Sequence, residues 1–287
     1  MKFRIISILL VGFMLLTLSP QAKNKKDKKE IGIQLWSVRK DMKENPEGTI
    51  EQLGRIGYRF VEMAGYKDGR FYGMLPAEFK TLVEANGMSV LSSHTRLNLP
   101  VSDEDWNNAT KWWDQCIAAH KAVGAKYIIM PSMEKTAYQD LAVLKKYCDY
   151  FNFVGEKCNK AGLRFGYHNH ANEFTTEFEG NIFYDYLLQN TDPKNVIFQL
   201  DLFWVYKGGK DATEYFKKYP GRFELFHVKD ETELGASGQM DFKSVFKKSK
   251  KGGMKYYIVE IGKYNFDPLI SVAKCYKYLN EAAFIKN

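Results

Sequence analysis

Short apolar runs alternate with amphipathic stretches along most of this chain. Ile31-Gly32-Ile33-Gln34-Leu35-Trp36 is a β-prone run. After it, residues 46–57 place Ile50, Leu53 and Ile56 on one helical face and stop at Gly57. The pair then recurs. Strands are predicted at 58–63, 88–93, 126–130, 163–167, 196–200, 223–226 and 255–259. Helices are predicted at 76–86, 103–123, 138–161, about 180–190, 212–219, 242–250 and 268–279, many of them punctuated by Gly or Pro. Eight strands alternating with eight helices over about 255 residues predict an α/β fold, a (β/α)8 TIM barrel, for which about 250 residues is typical. An open doubly wound sheet is the alternative, but no GxGxxG follows the first strand.

The pattern breaks at the N-terminus. Lys2 and Arg4 precede an apolar run over residues 5–18. Residues 1–22 therefore read as an export signal peptide, whose apolar run is short for a membrane span. No Cys follows closely, so a lipid anchor is not indicated. Pro20 is a poor neighbour for a cleavage point, which keeps an uncleaved anchor as the alternative. Residues 23–30 read as a charged linker, and residues 31–287 as one barrel domain. The expected location is outside the cytoplasm, in a periplasm.

Charge changes the picture little. The formal net charge is +8, but the first 30 residues hold seven basic and two acidic side chains. The barrel is left almost balanced, which is no footprint for nucleic acid. Cys116, Cys148, Cys158 and Cys275 all fall in predicted helices without CxxC spacing, so buried free thiols are expected even in an oxidising compartment.

The candidate chemistry sits where strands end. The run 164–167 stops in His168-Asn169-His170, 197–200 stops at Asp201, 224–226 at His227 with Lys229 two residues on, and 257–259 at Glu260. Glu62, His94 and Glu134 stand at or just beyond the ends of the second, third and fourth strands. Four of the five histidines belong to this set; His120 lies in a helix and reads as structural. In a parallel barrel these ends share one face. A buried charge there is costly unless it is paired or bound to metal. Hydrogen-bonded residues at the barrel mouth are the plain alternative. His168, Asp201, His227 and Glu260 form an N2O2 donor set suited to one divalent ion, Mn²⁺, Zn²⁺, Co²⁺ or Fe²⁺, rather than Ca²⁺. Trp36, Phe203 and Trp204 could pack on a sugar ring or simply on the core.

From Ile31 to the C-terminus the chain resembles the xylose-isomerase-like barrels of the sugar phosphate isomerase/epimerase superfamily. That superfamily also holds ketose 3-epimerases, inosose dehydratases and AP endonucleases. The resemblance rests on Tyr167-His168-Asn169-His170, Gln199-Leu200-Asp201 with Trp204, and Phe226-His227-Val228-Lys229-Asp230. In the ketose epimerases the strand-end ligands are Glu, Asp, His and Glu, and the two glutamates move the proton on opposite faces. Asp201, His227 and Glu260 match the last three, whereas His168 stands in place of the first. The resemblance thus implies Glu260 as the base and leaves the second proton-transfer group to His170, Glu134, Glu173 or Lys229. Trp36, Glu62, His94, Asn169, Glu173 and Trp204 are expected around the substrate.

The implied activity is metal-dependent movement of a proton α to the carbonyl of a non-phosphorylated sugar or keto-sugar, by isomerisation or epimerisation. Elimination or hydration on a keto-sugar or inosose is the alternative, since a comparable His-containing motif occurs in the dehydratase branch. A small-molecule sugar is the expected partner, with a homo-oligomer possible and neither nucleic acid nor membrane beyond the N-terminal segment. An AP endonuclease is disfavoured because Trp204 replaces one of that branch's extra histidines. A non-catalytic carbohydrate-binding barrel is the remaining reading.

Overall fold

The computed structural model describes residues 29–285. The expected signal peptide and most of the expected linker lie outside the described residues. The last two linker positions already belong to the barrel: Lys29 is buried, and its ammonium donates to the carbonyls of Leu279 and Ala282.

Eight parallel strands close into a barrel in sequence order. They are β1 (Ile31–Gln34), β2 (Phe60–Met63), β3 (Ser89–His94), β4 (Tyr127–Met130), β5 (Arg164–His168), β6 (Val196–Asp201), β7 (Phe223–Val228) and β8 (Tyr256–Val259). β1 pairs with both β2 and β8, which completes the ring. The strands are buried almost throughout, as expected when side chains fill the barrel on one face and helices cover the other. The predicted crossover helices are present, from Pro46–Ile56 to Pro268–Glu281. Among the described residues no helix is long and apolar enough to cross a membrane, and all four cysteines are free and buried.

Several short elements were not predicted. The first strand stops two residues early because the Gln34 side chain accepts from the backbone N–H of Trp36, 3.0 Å away, and starts a 3-10 turn. Helices at Arg39–Glu44, Asn172–Thr175 and Leu202–Lys207, and two hairpins with two-residue strands, sit in the connections. Segments this short carry no readable period.

Phe60, Leu91, Tyr127, Ile129, Ile197, Leu225 and Ile258 form a separate apolar cluster distinct from the main core. Two glycines make room there. A Cβ on Gly32 would lie 2.1 Å from the Phe60 ring, and one on Gly166 would lie 2.6 Å from the Ile197 Cδ1. Gly32→Ala is therefore expected to destabilise the fold by about 1–3 kcal/mol through overpacking. Thermal unfolding should show a lowered midpoint, with Phe60→Leu in the same chain recovering part of the loss. An unchanged midpoint would mean that the ring moves freely.

Two register shifts mark the polar end of the barrel. One falls between Val61 and Glu62 where β2 meets β3, the other between Phe198 and Gln199 where β6 meets β7. Such bulges re-aim side chains next to functional sites. Here they immediately precede two residues of the polar cluster.

Candidate metal centre

At the C-terminal mouth, His168, Asp201, His227 and Glu260 converge. All four are buried, and one donor atom from each lies within 4.8 Å of the others. β5 to β8 each deliver one, the residue at or next to the strand end. Asp201 also starts the helix Leu202–Lys207, its Oδ1 accepting from the Trp204 N–H at 2.9 Å. Asn169 holds that strand end from both sides, accepting from the Asp201 N–H and donating to its carbonyl. The second oxygen, Asp201 Oδ2, is buried with no hydrogen-bond partner. The nearest cationic nitrogen, His227 Nδ1, is 4.0 Å away.

A buried, unpartnered carboxylate oxygen facing two imidazoles and a second carboxylate is the environment a divalent ion satisfies. His94, His168 and His227 also bring ring nitrogens within the same distance. The His94 Nε2 is already engaged by Gln199 at 2.7 Å, so the four-residue set is the better cradle.

Beneath the donors lies Glu62. Expected beside the substrate, this residue is fully buried and both of its oxygens are filled. Oε1 accepts from Gln34 at 2.8 Å and His227 Nε2 at 2.5 Å, with His94 Nε2 3.2 Å away. Oε2 accepts from Ser92 at 2.6 Å and Gln199 at 2.7 Å. Glu173, also placed at the substrate, is likewise buried and saturated by the hydroxyls of Tyr138 and Tyr167 and the backbone N–H of His170. Glu134, considered for proton transfer, accepts from the Tyr147 hydroxyl and the Leu99 N–H. These two carboxylates brace the loops around the mouth.

Electrostatics divide the remaining groups. Burial pushes the Glu260 carboxyl up, but Lys229 and His227 outweigh it and hold it well below the usual range. Its Oε1 accepts from Lys229 at 3.0 Å and its Oε2 from His227 Nδ1 at 2.6 Å. Burial pushes Asp201 up to about 6, only partly opposed by Lys229. Burial lowers His168 well below its ordinary value, with His227 and His94 adding to the effect, so it is a neutral imidazole ready to ligate. Burial would do the same to His227, but Glu62 and Glu260 raise it to about 10.

His170 sits higher in the mouth. Its ring centre is 5.0 Å from that of His168 and 5.7 Å from Trp204. Its ring makes no hydrogen bond among the described residues. Lys229 stacks 5.1 Å above Trp204, and both line a cavity of about 320 Å³ with Phe203, Lys207, Glu231 and Lys263. Trp36 lies elsewhere, half exposed, against a different cavity, and the Arg39 guanidinium covers its ring at 4.9 Å.

Gln34 and Ser92 carry no site role in the sequence reading, and Gln199 enters it only as part of the stretch that ends in Asp201. The available signal was polarity: each interrupts an apolar strand, and Gln199 shares the face of Asp201 two residues on.

The family model of xylose isomerase-like TIM barrels matches residues 50–281. No curated protein matches the chain. Among solved structures, a sugar phosphate isomerase/epimerase from Parabacteroides distasonis ATCC 8503 is 31% identical with a TM-score of 0.82, over 90% of this chain and 100% of that one. A second from the same organism is 29% identical with a TM-score of 0.84, over 92% and 99%. The IolI protein, solved with a zinc atom, shares the fold at 14% identity and a TM-score of 0.69, over 90% and 100%. Sequence match, closed barrel and strand-end donors agree, and the chain belongs to the xylose isomerase-like TIM barrel family.

Proposed function

We propose that this protein is a divalent-metal-dependent enzyme that moves a proton α to the carbonyl of a non-phosphorylated sugar or keto-sugar. The observation that carries the reading is the buried His168, Asp201, His227 and Glu260 cluster with its orphaned Asp201 oxygen. These four residues would hold the ion, which when bound polarises a carbonyl and acidifies the adjacent C–H. Glu260 is the base: an ionised carboxylate held by two donors, which takes the proton as the C–H electron pair moves into the enolate. Lys229 orients Glu260 and places an ammonium beside the developing oxyanion.

Of the four candidates for the second proton transfer, Glu173 is buried with both oxygens filled, Glu134 is held through one oxygen by the Tyr147 hydroxyl and the Leu99 N–H, and Lys229 is committed to Glu260. His170 remains, with a free ring at the mouth. One carboxylate base and one imidazole are chemically unlike the paired glutamates of a symmetrical epimerase. This asymmetry favours elimination or hydration beside a ketone as the second reading, with His170 giving the proton to the departing oxygen. The cations lining the Trp204 cavity are already paired, Lys229 on Glu260 and Lys207 and Lys263 on Glu231, which supports an uncharged sugar. The reading of residues 1–22 as an export signal supports action outside the cytoplasm.

The test is metal content of the purified protein followed by a screen of keto-sugars for deuterium uptake from D2O. One transition metal per chain and exchange at the α carbon are expected. Three metals per chain would point to nucleic-acid chemistry. No uptake of Mn²⁺, Co²⁺ or Zn²⁺ would sink the mechanism and leave a carbohydrate-binding barrel.

A further inference from the structure

We propose that Glu62 and Gln199 are a positioning pair that fixes which nitrogen each ring ligand presents to the metal; the proposal rests on the metal reading above. An ionised carboxylate only accepts hydrogen bonds. Every group around Glu62 must therefore donate to it, and the direction of each bond follows. Gln34 is locked independently, because its oxygen already accepts from the Trp36 N–H and its amide N–H2 is left to face Glu62.

Gln199 is the informative member. Its Nε2 is 2.7 Å from Glu62 Oε2. Turned over, the amide would set oxygen against oxygen at that distance inside the barrel. With N–H2 on Glu62, the Gln199 oxygen faces His94 Nε2 at 2.7 Å and His168 Nδ1 at 3.0 Å. Both rings must donate to it. His168 therefore carries a proton on Nδ1, and Nε2 is the nitrogen left to face an ion. His227 donates from Nε2 straight to Glu62, so Nδ1, which donates to Glu260 in the metal-free fold and faces Asp201, is the nitrogen that would give up its proton to an ion. One buried charge thus selects Nε2 from one ligand and Nδ1 from the other. Carboxylates that orient metal-binding histidines are a general device. Here a single carboxylate acts directly on one ring and through an amide on the second.

The experiment is nitrogen-15 NMR of the histidine rings, which is tractable with five histidines in the chain. In the metal-free wild type, His168 is expected as the Nδ1–H tautomer. In the zinc-loaded protein, the coordination shift should fall on Nε2 of His168 and Nδ1 of His227. Gln199→Met, similar in volume but unable to accept, should give His168 mixed tautomers and weaken zinc binding by about 10–100-fold. A merely structural role would not move the tautomer signal. The wild-type spectrum decides even if the variant folds poorly. His168 protonated on Nε2 in a zinc-binding wild type would overturn the pair and leave the metal reading standing. So would a Gln199→Met protein with unchanged tautomer and zinc affinity. A wild type that takes up no zinc would overturn the metal reading instead, and with it the ligand role assigned to the two rings.

Discussion

Asp201→Asn is expected to abolish stoichiometric metal binding and, in the same protein, to raise the melting temperature of the metal-free form. The two effects share one cause. Asp201 Oδ2 is a buried carboxylate oxygen with no partner in the fold, which costs roughly 1–3 kcal/mol. The amide removes the charge and keeps the oxygen that caps Trp204. Without metal the variant is therefore the more stable protein; with metal the order reverses, because only the wild type gains binding energy. The pH dependence has a definite sign. Burial raises the folded-state value of Asp201 to about 6, above its ordinary 3.8, so its ionisation works against folding. The penalty is complete above pH 6 and fades as pH falls from about 6 to 4. The stability advantage of Asp201→Asn should fade over the same interval in calorimetry on metal-stripped protein. An asparagine variant less stable than metal-free wild type at pH 7, or one that still binds metal one to one, would contradict this account.

How much of this was legible in the sequence depended on the range of the interaction involved. The barrel was readable because each βα unit repeats a local signal: a buried strand, an amphipathic helix, a Gly or Pro stop. The donor cluster was readable for a related reason. Parallel strands deliver their ends to one face, so His168, Asp201, His227 and Glu260 could be placed together without knowing any distance. Direction within the barrel could not be read this way. Glu62 looks like a pocket residue from its strand position and Glu173 from its nearness in sequence to His170, yet both are buried with both oxygens filled. Glu62 points under the donors after a register shift that no local pattern announces. Glu173 turns back onto two tyrosines, one of them thirty-five residues away. Gln34 and Gln199 gain no role from the sequence, where Gln199 stands only as part of the stretch leading to Asp201. Their role appears only once Glu62 is seen between them. Trp36 and Trp204 look equivalent as aromatic residues near strand ends, and only the three-dimensional arrangement puts them in separate cavities.

Glu260→Gln is the second large effect expected, and it separates two roles that one side chain combines. As a ligand, Glu260 offers an oxygen that the amide retains. As a base, it must accept a proton, which an amide cannot do. At saturating Mn²⁺ the variant should still hold metal through His168, Asp201 and His227. It should nevertheless lose about 10²–10⁴-fold in turnover and in deuterium uptake at the α carbon. His170→Ala is the complement. It leaves Glu260, Lys229 and the cluster untouched, so α-carbon exchange should persist while net conversion to product falls, because proton removal and return are then served by different groups. A base that trades the abstracted proton for a solvent deuteron and returns that deuteron to the same face gives exchange without conversion. Conversion requires an acid positioned elsewhere, and His170 is the one ionisable side chain among the candidates at the mouth whose ring has no other partner. If excess metal restores full turnover to Glu260→Gln, Glu260 is a ligand only, and the base must be sought among the groups facing the Trp204 cavity.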